Sequence, residues 1–289
     1  MRVTTAIIPV AGYGTRLLPA TKVIPKAMLP VAGKPIIDHL MHEVASSGIK
    51  HAVIVTGSGI GQEIIRRHFG KDAELERILR MRGNTERLRW LRRHDSEVRV
   101  TFVAQPKPEG NADAILRAYR TLTASEKRGA VAVLFGDDLI ESPFPALKRM
   151  VKEFTREKCP MFAVERVPRR ALSRYGAISG KLIRKNVWDV NRIIEKPHGT
   201  QMREVKPYAV IGRYILTPDT FLYIRNGVRK NIRDERRELS LTDVLSAYMH
   251  DKPVRAVAVG GTWHDCGNQD GYLRANVRFA SLAKRFATR

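Results

Sequence analysis

Short apolar, β-branched runs recur along this chain, separated by stretches whose apolar residues repeat at helical spacing. Residues 5–10 form such a run and end at Ala11-Gly12. Residues 51–55, 98–104, 130–135 and 159–167 have the same character. Between them, Ile36, Ile37, Leu40, Met41 and Val44 fall on one helical face, with Pro35 suited to a first turn. Ile115, Leu116, Tyr119 and Leu122 mark another helix. Continuous apolar strands are buried on both faces. Strand–helix–strand units of this length predict an α/β fold, with a mixed, mostly parallel sheet flanked by helices. Such sheets bind ligands outside the carboxyl ends of their strands.

The second half is less regular. Residues 209–216 and 254–260 read as strands, and Leu241–Tyr248 and 271–286 as helices. Residues 71–95 are charged, with Leu75, Ile78, Leu79, Leu88 and Leu91 at helical spacings, and predict a helical insertion. No repeat or low-complexity linker interrupts the chain, so a single domain is expected over residues 1–289.

Composition removes several classes. Hydrophobic residues make up 43 %, enough for a packed core. Two distant cysteines, Cys159 and Cys266, are no disulfide framework and suit a reducing cytosol. The chain opens directly into its first apolar strand with no signal-peptide pattern, and no run nears the roughly 20 apolar residues of a membrane helix. The expectation is a cytoplasmic protein without membrane association. The net charge of +23 suits a polyanionic partner or an acidic small substrate. The basic residues are spread and interleaved with acids, as between Arg89 and Asp95 or Arg229 and Glu238, and no pure basic block stands beside aromatics. A nucleic-acid partner is therefore not expected.

Two motifs sit just after predicted strands. Ala11-Gly12-Tyr13-Gly14-Thr15-Arg16 allows a tight turn that brings backbone N–H groups close to a phosphate. Taken alone, it is a plain strand-to-helix turn. Arg16, Lys22 and Lys26 follow within a segment punctuated by Pro19, Pro25 and Pro30, and a rigid basic loop beside a glycine turn has the makings of a polyphosphate clamp. Gly136-Asp137-Asp138 places two carboxylates at a strand end, which is costly unless a cation binds there. Hard oxygen ligands beside phosphates suit Mg²⁺. The same pair also suits an ordinary turn with capping aspartates. Near the end stands Trp263-His264-Asp265-Cys266-Gly267-Asn268. A metal site from His264, Asp265 and Cys266 fails on geometry, because neighbours on an extended chain point to opposite faces.

The run from Ile8 through Gly12-Tyr13-Gly14-Thr15-Arg16-Leu17-Leu18-Pro19-Ala20-Thr21-Lys22, continued by Pro25-Lys26-Ala27-Met28-Leu29-Pro30, resembles the signature of bacterial UTP–glucose-1-phosphate uridylyltransferases. The Gly-x-Gly-Thr-Arg core and the Pro-Lys belong to the wider sugar nucleotidyltransferase superfamily, and the Pro-Ala-Thr-Lys segment to the uridylyl branch. The resemblance covers nearly the whole chain, with separated motifs in order. It implies a Rossmann-like fold of the nucleotide-diphospho-sugar transferase type, with a nucleotide-binding part over about residues 1–140 and a sugar-binding and C-terminal part over about 141–289. It implies uridylyl transfer from UTP to glucose 1-phosphate by Mg²⁺-dependent in-line displacement, and a homodimer or homotetramer.

The same resemblance assigns residues. Ala11, Gly12, Gly14, Gln105 and Gly110 would bind the nucleotide. Arg16, Lys26 and Lys196 would be catalytic, Lys196 neutralising the sugar phosphate. Asp138, Gly176 and Glu195 would lie toward the sugar, the last two from Tyr175-Gly176-Ala177 and Ile194-Glu195-Lys196-Pro197. Asp137 and Asp265 would hold the metal, and Cys266 would be a packed side chain rather than a nucleophile. Positions that depart from the branch include Ala27 for Glu, Ser240 for Gln, Ala112 for Gly and Asp113 for His. The last two make Gly110-Asn111-Ala112-Asp113-Ala114 similar to the Gly-Thr-Ala-Asp-Ala of ADP-glucose pyrophosphorylases, and keep open a glucose-1-phosphate nucleotidyltransferase using dTTP or ATP. A catalytically weak regulatory paralogue is a further alternative.

Overall fold

The structure, a computed structural model, describes residues 1–94, 98–231 and 238–287. Its strands are β1 (Val3–Pro9), β2 (Pro30–Val31), β3 (Lys34–Pro35), β4 (His51–Thr56), β5 (Arg99–Ala104), β6 (Ala130–Leu134), β7 (Asp138–Glu141), β8 (Met161–Arg166), β9 (Gly176–Arg184), β10 (Val187–Glu195), β11 (Tyr208–Leu216), β12 (Val254–Ala258) and β13 (Thr262–Asp265). Nine of them form one sheet in the order β5-β4-β1-β6-β11-β8-β12-β10-β9. β5, β4, β1 and β6 are mutually parallel, and β8 and β12 are parallel to each other. β11 runs antiparallel between β6 and β8, and β10 antiparallel between β12 and β9. The result is the mixed, mostly parallel sheet that the sequence predicts.

The continuous apolar runs are explained by burial on both faces. Along β1, Ala6 and Ile8 enter one cluster while Ile7 enters the other. The first face is covered by the helices Ile36–Ser46 and Ala146–Glu157, whose Leu40, Val44, Leu147 and Phe154 are fully buried. The second is covered by Asn111–Thr121, Thr220–Asn231 and Leu241–Tyr248, through Ile115, Phe221, Ile224 and Leu245. Full burial of such a side chain contributes roughly 1.5–3 kcal/mol.

The expected strands and helices recur with ends shifted by one or two residues; the last helix is Gln269–Ala287. The charged insertion is a pair of helices, Ala73–Met81 and Thr85–His94, packed on each other and broken at Gly83. Asp95 lies outside the described residues, as does the basic stretch 232–237 before Glu238. The β9–β10 hairpin was not expected. Polar residues interrupt both strands, Ser179, Lys181 and Arg184 on β9 and the exposed Asp189, Asn191 and Arg192 on β10, so neither offers a continuous apolar run.

One surface link fastens the outer edge of the sheet. Glu126, on the short helix Ala124–Lys127, accepts from His51 Nδ1 at 2.6 Å, from Arg99 Nη2 at 2.9 Å, and from Thr123 N–H and Oγ1 at 2.9 and 2.8 Å. Burial pushes the Glu126 carboxyl up, but the Thr123 and His51 hydrogen bonds outweigh it and bring it down from 4.5 to about 2. A depressed folded-state value stabilises fully above the unfolded value, and that stability is lost as pH falls toward the folded one. Glu126→Gln is therefore expected to cost on the order of 3 kcal/mol near neutral pH. The gap from the parent should shrink below pH 4.5 and vanish near pH 2. Urea denaturation at several pH values reads this, and a gap independent of pH contradicts it.

Candidate active site

After β1 the chain moves to β4 and β5 on one side, and β6 returns to the other side of β1. The connections leaving the carboxyl ends of β1 and β6 therefore diverge and open a crevice between them. A cavity of about 460 Å³ lies there. Ala11, Gly12, Gly14, Arg16 and Lys26 line it from the β1 side, Gln105 and Gly110 from beyond β5, and Asp137 from the end of β6. Eight residues singled out from four separated sequence segments thus share one cavity. Lys22, grouped with Arg16 and Lys26 by sequence, instead lines a smaller hollow of about 160 Å³ behind the glycine turn.

The glycine turn is braced from within. Thr21 Oγ1 donates to Gly14 O at 2.8 Å, while Gly12 has open space where a side chain would project. That leaves the turn's backbone accessible to a ligand. Lys26 Nζ donates to Asp137 Oδ2 at 2.6 Å, which fixes both charges at the cavity wall.

Asp137 and Asp265 are brought together although 128 residues separate them in sequence. β7 pairs with β13, setting Asp138 opposite Asp265, and Cys266 N–H donates to Asp137 O at 2.8 Å. A Cβ added to Gly267 would sit 2.7 Å from Asp137 Oδ2 and 2.9 Å from Asp265 Oδ1. The two carboxylates therefore converge on the Gly267 backbone, and only glycine leaves them room. Asp265 is oriented by Gly267 N–H at 2.9 Å, Asn268 Nδ2 at 2.7 Å and Tyr175 OH at 3.1 Å. Burial, then the Asp265 charge, pushes the Tyr175 hydroxyl up to about 12, so it remains a donor. Among the described residues no group of three or more His, Cys, Asp or Glu gathers as a protein-only metal cage. Two carboxylates beside a phosphate-sized cavity fit Mg²⁺, which keeps sites for phosphate oxygens and water.

Asp138 does not line the cavity. It is buried, its Oδ1 accepts from the Trp263 indole and its Oδ2 from Gly212 N–H at 3.1 Å. Burial and the neighbouring Asp137 hold its carboxyl well above the usual carboxylate range, against the pull of Arg213. Both oxygens are engaged by the scaffold, where Asp138 braces the aromatic wall. Cys266 is fully buried and burial pushes its thiol up, which suits a packing role.

The remaining sugar-side residues are not among those that line the cavity. Gly176 and Glu195 are paired across β9 and β10, and a Cβ on Gly176 would lie 2.9 Å from Glu195 Oε2. Lys196 follows in a left-handed conformation with φ 48°, and its N–H donates to Tyr175 O at 3.0 Å. Tyr175 thus joins this corner to Asp265, and its ring meets Trp263 edge-on at 4.7 Å. Sequence reading missed the Tyr175 hydroxyl and the Trp263 indole, although both stand inside motifs it had marked.

The segment after the undescribed stretch closes onto the nucleotide side. Glu238 lines the cavity, Leu239 O accepts from Ala112 N–H at 3.2 Å, and Asn111 Oδ1 accepts from Leu241 N–H at 2.7 Å. Gly110 has φ +93° and its missing Cβ would lie 2.4 Å from Leu239 O, so any other residue there is excluded by strain and by contact. Ser240, the departure from Gln, caps the next helix in a capping box with Asp243.

Comparison with known proteins gives the family. A family model described as nucleotidyl transferase matches residues 5–281. The chain is 36 % identical to the UTP–glucose-1-phosphate uridylyltransferase of Pseudomonas aeruginosa, over 96 % of each chain. It is 32 % identical to that of Bacillus subtilis, over 98 % of this chain and 93 % of the other. Among solved structures, a UDP-glucose pyrophosphorylase complexed with UDP-glucose superposes with a TM-score of 0.81 at 30 % identity, covering 96 % of this chain and 99 % of that one. The UTP-bound enzyme of Acinetobacter baumannii gives 0.86 at 27 % identity, over 99 % of both.

Proposed function

Because the chain belongs to the nucleotidyl transferase family, we propose that it transfers a uridylyl group from UTP to glucose 1-phosphate, giving UDP-glucose and pyrophosphate. The observation that carries this reading is the convergence of Lys26, Asp137 and Asp265 around Gly267, at the wall of a cavity also lined by the glycine turn, Gln105 and Gly110. The uridylyltransferase relatives and the UDP-glucose complex supply the substrates.

The reaction is a direct displacement. An oxygen of the sugar phosphate attacks the α-phosphorus of UTP, a new P–O bond forms, and the bond to pyrophosphate breaks. The nucleophile is already ionised, so no general base or covalent intermediate is needed. The protein has to place two polyanions in line and absorb charge on the leaving group. Arg16 and Lys26 face the cavity as the cations for the leaving pyrophosphate. Ala11, Gly12 and Gly14 offer backbone to the phosphates, and Gln105 and Gly110 hold the base. Lys196 receives the sugar phosphate, and Glu195 and the Gly176 backbone take the sugar. Asp137 and Asp265 would hold Mg²⁺, which when bound supplies further charge neutralisation at the phosphates. In this reading residues up to about 140 form the nucleotide side and the rest the sugar side, with the sheet continuous between them. Among the described residues no helix is long and apolar enough to cross a membrane. The cytoplasm and a homo-oligomer are the setting proposed.

The test is pyrophosphate release from glucose 1-phosphate and Mg²⁺ with each of UTP, dTTP, ATP, CTP and GTP. Release is expected with UTP, abolished by EDTA and restored by excess Mg²⁺. Preference for another nucleotide overturns the uridylyl assignment, and no release with any of them overturns the reaction.

A further inference from the structure

Asp113 is buried on the helix Asn111–Thr121, one turn behind the cavity wall, and is not among the residues that line the cavity. Its Oδ2 accepts from Gln105 Nε2 at 2.9 Å and from Arg117 Nε at 2.6 Å. Arg117 is held in turn by Glu109 Oε2 at 2.9 Å. The second hydrogen of Gln105 Nε2 goes to Gly110 O, also at 2.9 Å. The amide can stand only one way round. Rotating it by half a turn would set Oε1 against a carbonyl and a carboxylate, two acceptors facing an acceptor. Both hydrogens of Gln105 are therefore consumed behind the wall. Oε1 has no hydrogen-bond donor among the described residues, and Gln105 lines the cavity.

An amide fixed in this sense offers a base an acceptor and no donor. Uracil presents a ring N–H between two carbonyls and can donate to it. Cytosine presents a bare ring nitrogen at the same place, and its lone pair would face that of Oε1. We propose that Asp113 is a specificity-determining positioning residue: by locking the Gln105 amide with its oxygen toward the cavity, it selects pyrimidine nucleotides that carry a ring N–H. The proposal rests on the uridylyl-transfer reading above. It gives the Asp found in place of His a role that favours uridine, where the Ala112-Asp113 pattern by itself suggests an adenine nucleotide.

The experiment compares UTP with CTP, pyrimidines of the same size, by kcat/KM for pyrophosphate release. Asp113→Leu keeps the volume and removes the acceptor, so Gln105 is free to turn its NH₂ outward. The UTP-to-CTP ratio is expected to fall about tenfold or more, through a raised KM for UTP with kcat little changed. Asp113→Asn keeps an oxygen where both donors meet and is expected to retain most of the discrimination. A ratio in D113L within about threefold of the parent overturns the proposal, as does a loss in D113N equal to that in D113L. If D113L does not melt cooperatively, Arg117→Met removes the group that anchors Asp113 and should lower the ratio in the same direction; an unchanged ratio overturns the proposal. A parent enzyme without a preference for UTP sinks the underlying reading instead.

Discussion

Asp137→Asn is expected to lower kcat/KM for pyrophosphate release by about 10²–10³-fold while leaving the melting temperature almost unchanged. The substitution keeps the shape of the side chain and removes one negative charge. Asp137 is partly exposed at the cavity wall, so little packing is disturbed. Two electrostatic arrangements are lost together. Lys26 Nζ loses the carboxylate that fixes it at 2.6 Å, and Asp265 is left as a lone carboxylate beside Gly267. Removing one preorganised charge from a water-poor site raises a barrier by roughly 2.7–4 kcal/mol, which is about two to three decades of rate. The apparent Mg²⁺ requirement should rise as well, because one of the two carboxylates that fit it has become a weaker, neutral ligand. Turnover within about threefold of the parent at saturating Mg²⁺ would remove Asp137 from the machinery.

The fold was legible where burial on two faces left continuous apolar runs, as in β1, β4 and β6. The same rule made β9 and β10 illegible, because exposed polar residues interrupt them: Lys181 on β9, and Asp189, Asn191 and Arg192 among the buried Val187, Trp188, Val190, Ile193 and Ile194 of β10. The nucleotide side was legible because its residues are local: Gly12, Gly14, Arg16 and Lys26 lie within one short segment and need only a turn to meet. Asp137 and Asp138 show what a motif leaves open. Two adjacent carboxylates look equivalent in sequence, yet Asp137 sits in the turn that follows β6 and Asp138 is the first residue of β7. Asp137 faces the cavity and Asp138 faces Trp263 and the Gly212 backbone. The pairing of Tyr175 with Asp265, 90 positions apart, depends on β7 meeting β13 and β9 meeting β10. No local pattern encodes that meeting. Asp113 was legible as a departure, but its meaning lies in the direction of two hydrogen bonds, which only coordinates provide.

Arg213→Leu is expected to lose about 3–5 kcal/mol of stability, seen as a fall of roughly 10 °C in Tm. Arg213 is fully buried on β11, where a charge has no access to water. Its Nε and Nη2 donate to Glu43 Oε2 at 3.1 and 2.8 Å, its Nη1 to Gly212 O at 2.9 Å, and its Nη2 also to Asp138 O at 2.8 Å. Glu43 reaches on to Leu147 N–H at 2.9 Å, so one ion pair ties the helix Ile36–Ser46, β11, the start of β7 and the helix Ala146–Glu157. The large cost comes less from the lost attraction than from the Glu43 carboxylate left inside without its partner. That cause has a signature. Adding Glu43→Gln to Arg213→Leu removes the stranded charge and keeps an oxygen for Leu147 N–H, so the double variant should be more stable than R213L alone. Glu43→Gln in the parent, by contrast, should destabilise. Opposite signs for the same substitution in the two backgrounds identify an uncompensated buried charge, whereas additive losses would mean that Arg213 contributes by packing. The effect reaches the site as well. Arg213 holds the Asp138 carbonyl one residue after Asp137, so activity surviving in R213L below its Tm should show a raised Mg²⁺ requirement, and the double variant, which still lacks this hydrogen bond, should share it.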